Sequence, residues 1–356
     1  MKRLRWVNAG AVSAWRSQGI YHGLGHAWNK DTPDTIVLAV PSDPYICLGY
    51  FQDAGKELDV RYCERNSLPV IRRETGGGAV YIDKNQLFVQ WIFNQNSVPP
   101  RVDQRFQWFL KPMIETYRFF GIDAYYCPVN DVHVDGKKIV GTGAAMIGNA
   151  EVVTGNFILS FDKAPFFKAL YFPSSNFREL AREGLEEYMS DMGRESHQMP
   201  EMDEVLNRYR KVCEDYLDLE IDEQNGFTDE EELFITQAEE KFKATDWLHK
   251  VNHPGTNVHV LKIHAEVWLL WTKGKVGDDV VELTVRTNRL KIDRLLATNP
   301  KANNLIKELL GKSFNKDELG KTIDSYFEGN MGPGVPEDWK NLLGTLITEL
   351  KKRGIG

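Results

Sequence analysis

The 356-residue sequence lacks several patterns that identify common classes of protein. Its four cysteines are widely spaced and include no Cys-x-x-Cys pair, so neither a disulfide framework nor a zinc site is predicted. No apolar run approaches the roughly 20 residues that a membrane-spanning helix needs. No apolar h-region follows the basic N-terminus, so no signal peptide is predicted. We therefore expect a cytoplasmic protein that does not enter a membrane.

The sequence also lacks a basic excess. Its net charge is −7, whereas nucleic-acid-binding proteins usually carry surplus Lys and Arg, so we predict no nucleic-acid partner. Its apolar and charged contents, 42% and 27%, are ordinary for a globular protein. The eight histidines, His133 among them, are interpreted as structural or exposed.

The most informative stretch runs from Val70 to Asp83, where three consecutive glycines separate two apolar strands. Ordering three glycines costs much backbone entropy. The use of glycine at all three positions is explained if a ligand must lie against backbone that carries no Cβ. Arg73 offers a planar fork that suits phosphate or carboxylate. We call Thr75 to Ala79 the glycine loop; a plain glycine-rich hairpin with a solvated arginine pair remains an alternative.

Two phosphate-binding motifs are excluded for the glycine loop. A P-loop would continue directly with Gly-Lys-Ser or Gly-Lys-Thr and a helix, whereas this chain continues as a strand. A dinucleotide fingerprint must likewise open a helix.

A second candidate is the stretch from Asp135 to Gly143, which begins with the hairpin turn Asp135-Gly136. Asn130 and Asp131, just upstream, are either ordinary turn residues or polar groups that reach the same site. Alternate side chains of a strand point to opposite faces, so Lys137 and Lys138 are expected to point in different directions. One of them is expected to face a pocket, where an ammonium group binds phosphate or carboxylate. A solvated lysine pair is the alternative.

The hairpins and helices indicated along the rest of the sequence predict an α+β fold with a mixed or antiparallel sheet flanked by helices. Apolar spacing predicts a helix over 103–120, and Thr228 to Glu231 has capping-box spacing before another helix. Residues 252–257 are typical of a domain boundary. We therefore predict a domain over 1–250 and a smaller α+β domain over 251–356, with strands at 258–271 and 280–285.

Together these motifs resemble those of the lipoate–protein ligase family, within the biotin/lipoate ligase and octanoyltransferase group. The resemblance rests on Arg72 to Val80, on Asn130-Asp131-Val132 and on Asp135 to Gly141. The stretch from Pro44 to Gln52 and the segment from Thr228 to Trp247 are similar to further parts of the family pattern. The resemblance covers about residues 10–250; residues 251–356 are similar to the family's small accessory domain.

The resemblance implies two-step acyl transfer that uses ATP, Mg2+ and lipoate. The carboxylate of lipoate attacks the α-phosphate of ATP to give lipoyl-AMP, and a lysine of an acceptor protein then attacks this mixed anhydride. Three kinds of acceptor remain open: the glycine-cleavage H protein, the acyltransferase subunit of a 2-oxoacid dehydrogenase, and a specialised lipoate-binding protein.

The resemblance also implies roles for particular residues. Lys138 is the expected catalytic lysine, and Asp131 is expected to help hold the metal. The expected substrate- and nucleotide-binding residues are Arg73, Thr75, Gly76, Gly77, Gly78, Ala79, Val80, Tyr81, Gln86, Asn130, Asp131, Ile139, Gly141, Thr142, Thr154 and Asn156. The chain departs from the family pattern at Glu74, at Gln86 and at Thr154-Gly155-Asn156, which often reads His-Gly-Thr in the family.

Two rival functions remain. Cys127 precedes Asn130-Asp131, near where cysteine-dependent octanoyltransferases keep their nucleophile, and such an enzyme would need no ATP. A non-catalytic lipoyl-binding protein is the other alternative.

Overall fold

A computed structural model describes residues 3–252, 257–353 and 355 of the chain. The chain divides into two compact units. The larger unit comprises Met1–Tyr171 and Tyr188–Asn252, and the smaller unit comprises Phe172–Glu187 and His253–Gly356. Of the boundary predicted at 252–257, residues 253–256 lie outside the described part. The sequence did not predict that residues 172–187 belong to the smaller unit.

The secondary structure is as follows. The strands are β1 (Arg3–Val12), β2 (Thr35–Pro41), β3 (Tyr45–Leu48), β4 (Val70–Arg72), β5 (Val80–Ile82), β6 (Gln86–Asn94), β7 (Tyr125–Cys127), β8 (Asp131–Val134), β9 (Lys137–Val140), β10 (Thr142–Ile147), β11 (Ala150–Ile158), β12 (Glu220–Gln224), β13 (Val258–His264), β14 (Val267–Val276), β15 (Asp279–Asn288) and β16 (Lys291–Ala297). The helices are α1 (Ala14–Ala27), α2 (Ala54–Glu57), α3 (Val60–Arg65), α4 (Val102–Phe119), α5 (Lys163–Ala169), α6 (Ser175–Tyr188), α7 (Met192–Glu195), α8 (Met202–Leu217), α9 (Asp229–Lys243), α10 (Thr245–Leu248), α11 (Asn303–Leu309), α12 (Lys316–Gly329) and α13 (Pro336–Lys352).

The larger unit is built on a mixed six-stranded sheet in the order β10-β11-β6-β2-β1-β12. Strand β1 is parallel to β2 and β12, and the other pairs are antiparallel. Because successive side chains alternate between faces, Trp6 and Leu38 pack with residues of α4 and α8. Val7 and Val37 pack on the opposite face with residues of α1 and α9. The sheet is therefore covered by helices on both faces.

Two small sheets of the larger unit carry the sequence motifs. One has the order β4-β3-β5 and presents the glycine loop between β4 and β5. The other, β7-β8-β9, is antiparallel. Its β8–β9 turn is formed by Asp135 and Gly136, with positive φ angles of 48° and 75°. The predicted hairpin is thus present.

The smaller unit contains an antiparallel four-stranded sheet in the order β13-β14-β15-β16. Residues of α11, α12 and α13 share one hydrophobic core with it. The predicted strand over 258–271 was wrong, because residues 265–266 interrupt it and it forms β13 and part of β14. Strand β15 extends beyond the predicted 280–285, and β16 was not predicted.

The fold class predicted from the sequence is confirmed: mixed sheets flanked by helices, with a smaller unit of antiparallel sheet and helices. The predicted helix over 103–120 is α4, and the capping box of Thr228 and Glu231 begins α9. Among the described helices, none combines the length and apolar character needed to cross a membrane.

Candidate active site

The glycine loop is held by backbone and arginine hydrogen bonds. The N–H of Tyr50 donates to the carbonyl of Thr75 over 3.0 Å. The guanidinium of Arg73 donates to the carbonyls of Gly76 and Gly78, with Nη2–O distances of 2.7 and 2.8 Å, and to the carbonyl of Cys47. Arg73 therefore shapes the loop in this structure, and its predicted contact with a ligand stays a prediction.

The glycines in and beside the glycine loop are needed for different reasons. Gly77 has a φ of +101°, and a Cβ at Gly49 would lie 2.0 Å from the carbonyl oxygen of Gly77. These two glycines are required by the protein's own packing. At Gly76 and Gly78, by contrast, an added Cβ would meet no described atom within 4 Å. The loop thus leaves open space beside two glycines, where a ligand can approach the backbone.

The β8–β9 hairpin places Lys138 against a buried carboxylate. Nζ of Lys138 lies 2.9 Å from Oδ1 of Asp131, whose side chain is fully buried. The next lysine along the strand, Lys137, points elsewhere, with its Nζ 3.1 Å from Oε1 of Glu195. The alternation predicted from the sequence is confirmed. Lys138 is the less exposed of the two, at 14% against 40%.

Asn130, the residue before Asp131, is hydrogen-bonded to the start of strand β10. The side-chain amide of Asn130 donates to Oγ1 of Thr142 over 3.1 Å, and the Thr142 hydroxyl donates to the Asn130 carbonyl. At Gly141, an added Cβ would lie 3.9 Å from Cε of Lys138. Gly141, immediately before β10, therefore lies beside the side chain of Lys138.

Gly143 joins this group to the glycine loop. A Cβ at Gly143 would lie only 2.8 Å from Oγ1 of Thr75 and 3.5 Å from Oγ1 of Thr154. Thr75 is fully buried, and Thr154 is 6% exposed. Gly143 ends the second candidate stretch but is not among the expected binding residues, although its place in the run Gly-Thr-Gly was a usable signal for a close backbone approach.

His22 supports the glycine loop from behind and was missed as a site residue. Its Nε2 accepts a hydrogen bond from the N–H of Glu74 over 3.0 Å, and its Nδ1 lies 2.7 Å from the carbonyl of Gln18. A carbonyl only accepts, so Nδ1 carries the proton and the ring is neutral. Burial lowers the pKa of His22 to about 4.

The charge of Glu74 is compensated by cations. Its Oε1 lies 2.5 Å from Nζ of Lys241, and its Oε2 lies 3.5 Å from Nε2 of His26. Burial alone would raise the pKa of Glu74, but the contacts with His26, His22 and Lys241 outweigh it and lower that pKa to about 2. Glu74 is therefore an anion that is paired outside the glycine loop.

Other predicted site residues have mainly structural contacts. Ile139 is fully buried in the main core, so its side chain packs and does not line a pocket. Gln86 donates from Nε2 to the carbonyl of Tyr81, and Val80 pairs with Cys47 between β5 and β3. Ala79 precedes β5 at the end of the glycine loop.

Asn156 retains a donor that is compatible with a ligand role. It lies on β11 two residues from Thr154, so both side chains point to the same face of the sheet. Nδ2 of Asn156 has no hydrogen-bond partner among the described residues, although the residue is only 8% exposed. A buried unpaired donor is costly, and a ligand acceptor would relieve that cost.

Cys127, the predicted alternative nucleophile, lies in the same small sheet. It is 7% exposed and pairs with Asp131 across β7 and β8. Residues directly opposite in an antiparallel pair present their side chains on the same face. The thiol is therefore close to the Lys138–Asp131 pair, but it is buried.

A magnesium ion fits the donors at this place. Mg2+ prefers oxygen ligands and is often held by one or two carboxylates together with substrate phosphates. Asp131 provides one carboxylate, which lies 2.9 Å from the ammonium of Lys138. The predicted role of Asp131 in holding the metal stays a prediction.

Known proteins resemble this chain in sequence. The family model of the lipoyl protein ligase A/B catalytic domain matches residues 23–214, more than half of the chain. A lipoate–protein ligase of Streptococcus pyogenes is 32% identical over 163 residues, which cover 45% of this chain and 45% of that relative. Octanoyltransferase LipM of Halalkalibacterium halodurans is 23% identical over 263 residues, which cover 67% of this chain and 91% of that relative.

A solved structure shares the fold. A bipartite lipoate protein ligase from Thermoplasma acidophilum, described with its E2 lipoyl domain, superposes with a TM-score of 0.63 at 22% identity. The superposition covers 72% of this chain and 100% of that one. The family match confirms the resemblance found in the motifs. The chain spans about half the length of the Streptococcus pyogenes relative, and it belongs to the lipoyl protein ligase A/B catalytic domain family.

Proposed function

We propose that the protein ligates lipoate to a lysine of an acceptor protein, using ATP and passing through lipoyl-AMP. The observation that carries this proposal is the Lys138–Asp131 pair, with 2.9 Å between Nζ and Oδ1. Asn130, the residue before Asp131, is hydrogen-bonded to Thr142 at the start of β10, and Gly143 of β10 lies against Thr75 of the glycine loop.

The chemistry needs fixed positive charge where negative charge develops. In the first step the carboxylate of lipoate attacks the α-phosphorus of ATP, and pyrophosphate leaves. In the second step an acceptor lysine attacks the carbonyl carbon, and AMP leaves. Charge builds on the phosphate and carboxyl oxygens in both steps, so the ammonium of Lys138 is suited to stabilise both transition states. Asp131 holds that ammonium in place, which avoids reorganisation during the reaction.

The other residues of the site bind the substrates and orient them for the reaction. Open space at Gly76 and Gly78 lets the ligand approach the backbone, whose N–H groups can donate to anionic oxygens. Thr75 and Thr154 supply hydroxyl groups, and Asn156 supplies the unused amide donor. A Mg2+ ion held by Asp131 and the nucleotide phosphates would offset phosphate charge.

The acceptor is proposed to be a lipoyl domain or a related protein. The Thermoplasma ligase with the same fold is described with an E2 lipoyl domain. An acyltransferase subunit of a 2-oxoacid dehydrogenase is therefore the first acceptor to test, before an H protein or a specialised lipoate-binding protein.

A cysteine-dependent octanoyltransferase is the second candidate. Cys127 lies opposite Asp131 on the same face of the β7-β8-β9 sheet, which brings a thiol to the proposed site. Such an enzyme would take the acyl group from a carrier protein onto sulfur and pass it to the acceptor without ATP. Burial of the thiol, at 7% exposure, makes Cys127 the weaker of the two candidates.

One mass measurement separates the two functions. A lipoyl domain is incubated with the protein in two tubes. The first also contains lipoate and Mg-ATP, and the second contains octanoyl carrier protein without ATP. The ligase adds a lipoyl mass only in the first tube. Lys138→Met should lower this rate at least a hundredfold, because it removes the charge that stabilises the transition state, and Cys127→Ser should leave it unchanged.

The opposite pattern would overturn the proposal. An octanoyl mass gain only in the second tube, lost in Cys127→Ser, would establish the transferase. No gain with any of the three acceptor classes would favour the non-catalytic lipoyl-binding protein.

A further inference from the structure

The backbone of Lys138 is hydrogen-bonded to residues 189–195, which we call the anchoring segment. The segment and Lys138 both belong to the larger unit. The N–H of Ser190 donates to the carbonyl of Lys138 over 2.9 Å, and Met189 forms a parallel bridge with Lys138. Ser190 is itself buried, at 1% exposure. Lys138 also pairs with His133 of β8, so its backbone has partners in two neighbouring segments.

The buried carboxylate of Asp191 fixes the anchoring segment to the chain that follows β11. Its Oδ2 accepts a hydrogen bond from the N–H of Phe161 over 3.2 Å, and its Oδ1 accepts one from the N–H of Arg194 over 3.0 Å. The N–H of Gly193 donates to the carbonyl of Leu159 over 2.9 Å. The charge of Asp191 is met by Nε of Arg194, 3.4 Å from Oδ2. Because Asp191 is only 3% exposed, removing its carboxylate would leave two backbone donors without their acceptor.

Lys137 connects a side chain of β9 to the same segment. Its Nζ lies 3.1 Å from Oε1 of Glu195, and that oxygen also accepts a hydrogen bond from the hydroxyl of Ser190. Consecutive side chains of a strand point to opposite faces. A contact that holds Lys137 on the anchoring segment therefore keeps Lys138 directed towards Asp131, with 2.9 Å between Nζ and Oδ1.

We propose that Asp191 is a positioning residue for Lys138. Its two hydrogen bonds fix the anchoring segment, and the segment fixes the backbone of Lys138 through Ser190. Glu195 and Lys137 add a second connection between the segment and β9. Removing the carboxylate of Asp191 releases the segment, and the ammonium of Lys138 then leaves the place where charge develops in the reaction. The inference rests on the proposed function of Lys138 in forming lipoyl-AMP.

A double-mutant cycle in the full chain tests this connection. Asp191→Ala is made alone and together with Lys138→Met, because a residue that acts only through Lys138 has no further effect once the ammonium is absent. The matched control is Asp59→Ala, which removes another aspartate N-cap of the larger unit, bonded to the N–H of Tyr62 over 2.9 Å. Both substitutions remove a helix cap, so both lower stability.

Two quantities are measured for each variant. The first is the amide hydrogen exchange rate of Ser190. The second is the kcat and KM of lipoyl-AMP formation, with kcat expressed per mole of folded protein as determined by circular dichroism. This correction separates a displaced lysine from a smaller folded fraction.

We expect Asp191→Ala to speed exchange at Ser190 and to lower kcat about tenfold, because small misplacements of a catalytic group are costly. In the Lys138→Met background the same substitution should change kcat less than about twofold. The KM values for lipoate and ATP should stay unchanged, since the glycine loop is not altered, and Asp59→Ala should keep the wild-type kcat. A residue that only stabilises the fold would lower the rate equally in both backgrounds.

Three results would overturn the proposal: unchanged exchange at Ser190, a wild-type kcat in Asp191→Ala, or an equal loss of kcat with and without the ammonium of Lys138. If the wild type forms no lipoyl-AMP, the proposed function fails, and the exchange rate then decides. Faster exchange at Ser190 in Asp191→Ala supports the anchoring role, and unchanged exchange refutes it.

A second variant decides if Asp191→Ala does not fold. Lys137→Met is suited to this, because 40% of that side chain is exposed. It should lower kcat about threefold, and only while Lys138 is present. Its control is Lys211→Met, which removes an exposed ammonium of α8 that is paired with Asp215 and should leave kcat unchanged. A wild-type kcat in Lys137→Met, or an equal loss in both backgrounds, would again refute the proposal.

Discussion

His22 lies behind the glycine loop and holds the N–H of Glu74 through its unprotonated Nε2. A second ring proton would point at that N–H, so the loop contact exists only with a neutral imidazole. Burial, the main cause, lowers the pKa of His22 to about 4 from an ordinary value of 6.5. The imidazole is therefore neutral at neutral pH, and in the folded protein this contact persists until the pH falls to about 4.

This ionisation predicts a loss of stability in mild acid. The unfolded chain takes up the proton below about pH 6.5, whereas the folded protein resists it until about pH 4. Between pH 7 and pH 4.5, wild type should lose about 2–3 kcal/mol more unfolding free energy than His22→Gln. Urea unfolding at the two pH values measures this difference. An equal loss in both proteins would show that His22 does not titrate as its burial requires.

At the scale of elements, helix α9 packs so closely on helix α1 that α1 has glycines at the contact. A Cβ at Gly23 would lie 2.4 Å from the backbone N of Ile235 and 2.5 Å from its Cα. At Gly19 the nearest atom is Cγ of Glu239, at 2.7 Å, which a flexible side chain can move. At Gly23, therefore, the backbone of α9 itself occupies the place that a methyl group would need.

Two glycine substitutions should have opposite effects. Gly23→Ala should lower the unfolding free energy by about 2–3 kcal/mol, because α9 must shift its backbone to admit the methyl group. Gly320→Ala in α12, where no described atom lies within 4 Å, should raise the stability of the smaller unit by about 0.5–1 kcal/mol. Urea denaturation followed by circular dichroism compares them. A neutral Gly23→Ala would mean that α1 and α9 can separate without cost.

Local signals allowed much of the fold and part of the site to be predicted. Helix α4 follows its apolar spacing, and the Asp135-Gly136 turn brings Lys138 to Asp131 within one hairpin. Strand β12 was missed because it is short and charged, and only its remote pairing with β1 makes it a strand. The contact of His22 with Glu74 joins residues 52 apart in sequence, which no local pattern encodes.

At the scale of the whole molecule, the two units do not correspond to two continuous pieces of chain. The predicted division at residue 250 leaves α6 with the larger unit, whereas the structure assigns Phe172–Glu187 to the smaller one. The catalytic and accessory roles given to the two units stay predictions. A truncation at this boundary therefore removes the sheet on which α6 packs.

Deleting residues 253–356 should expose the apolar face of α6, which includes Phe177, Leu180 and Leu185. We expect increased binding of a hydrophobic dye, and a greater loss of lipoyl-AMP formation than of transfer from preformed lipoyl-AMP. A second truncated variant, in which a Gly/Ser linker replaces residues 175–186, should lose the dye binding. Equal dye binding by both truncated proteins would mean that α6 is not the exposed surface.

The smaller unit is formed by two separate segments of the chain, and this affects folding during translation. Glu187 leaves the ribosome 99 residues before its partner Arg286, a delay of about 5–20 s at ordinary rates of synthesis. During this time α6 has no sheet to cover its apolar face, while the strands of the larger unit are already available. Because transiently exposed apolar surface promotes aggregation, we expect the yield of folded protein to depend on how fast the ribosome completes the last hundred residues.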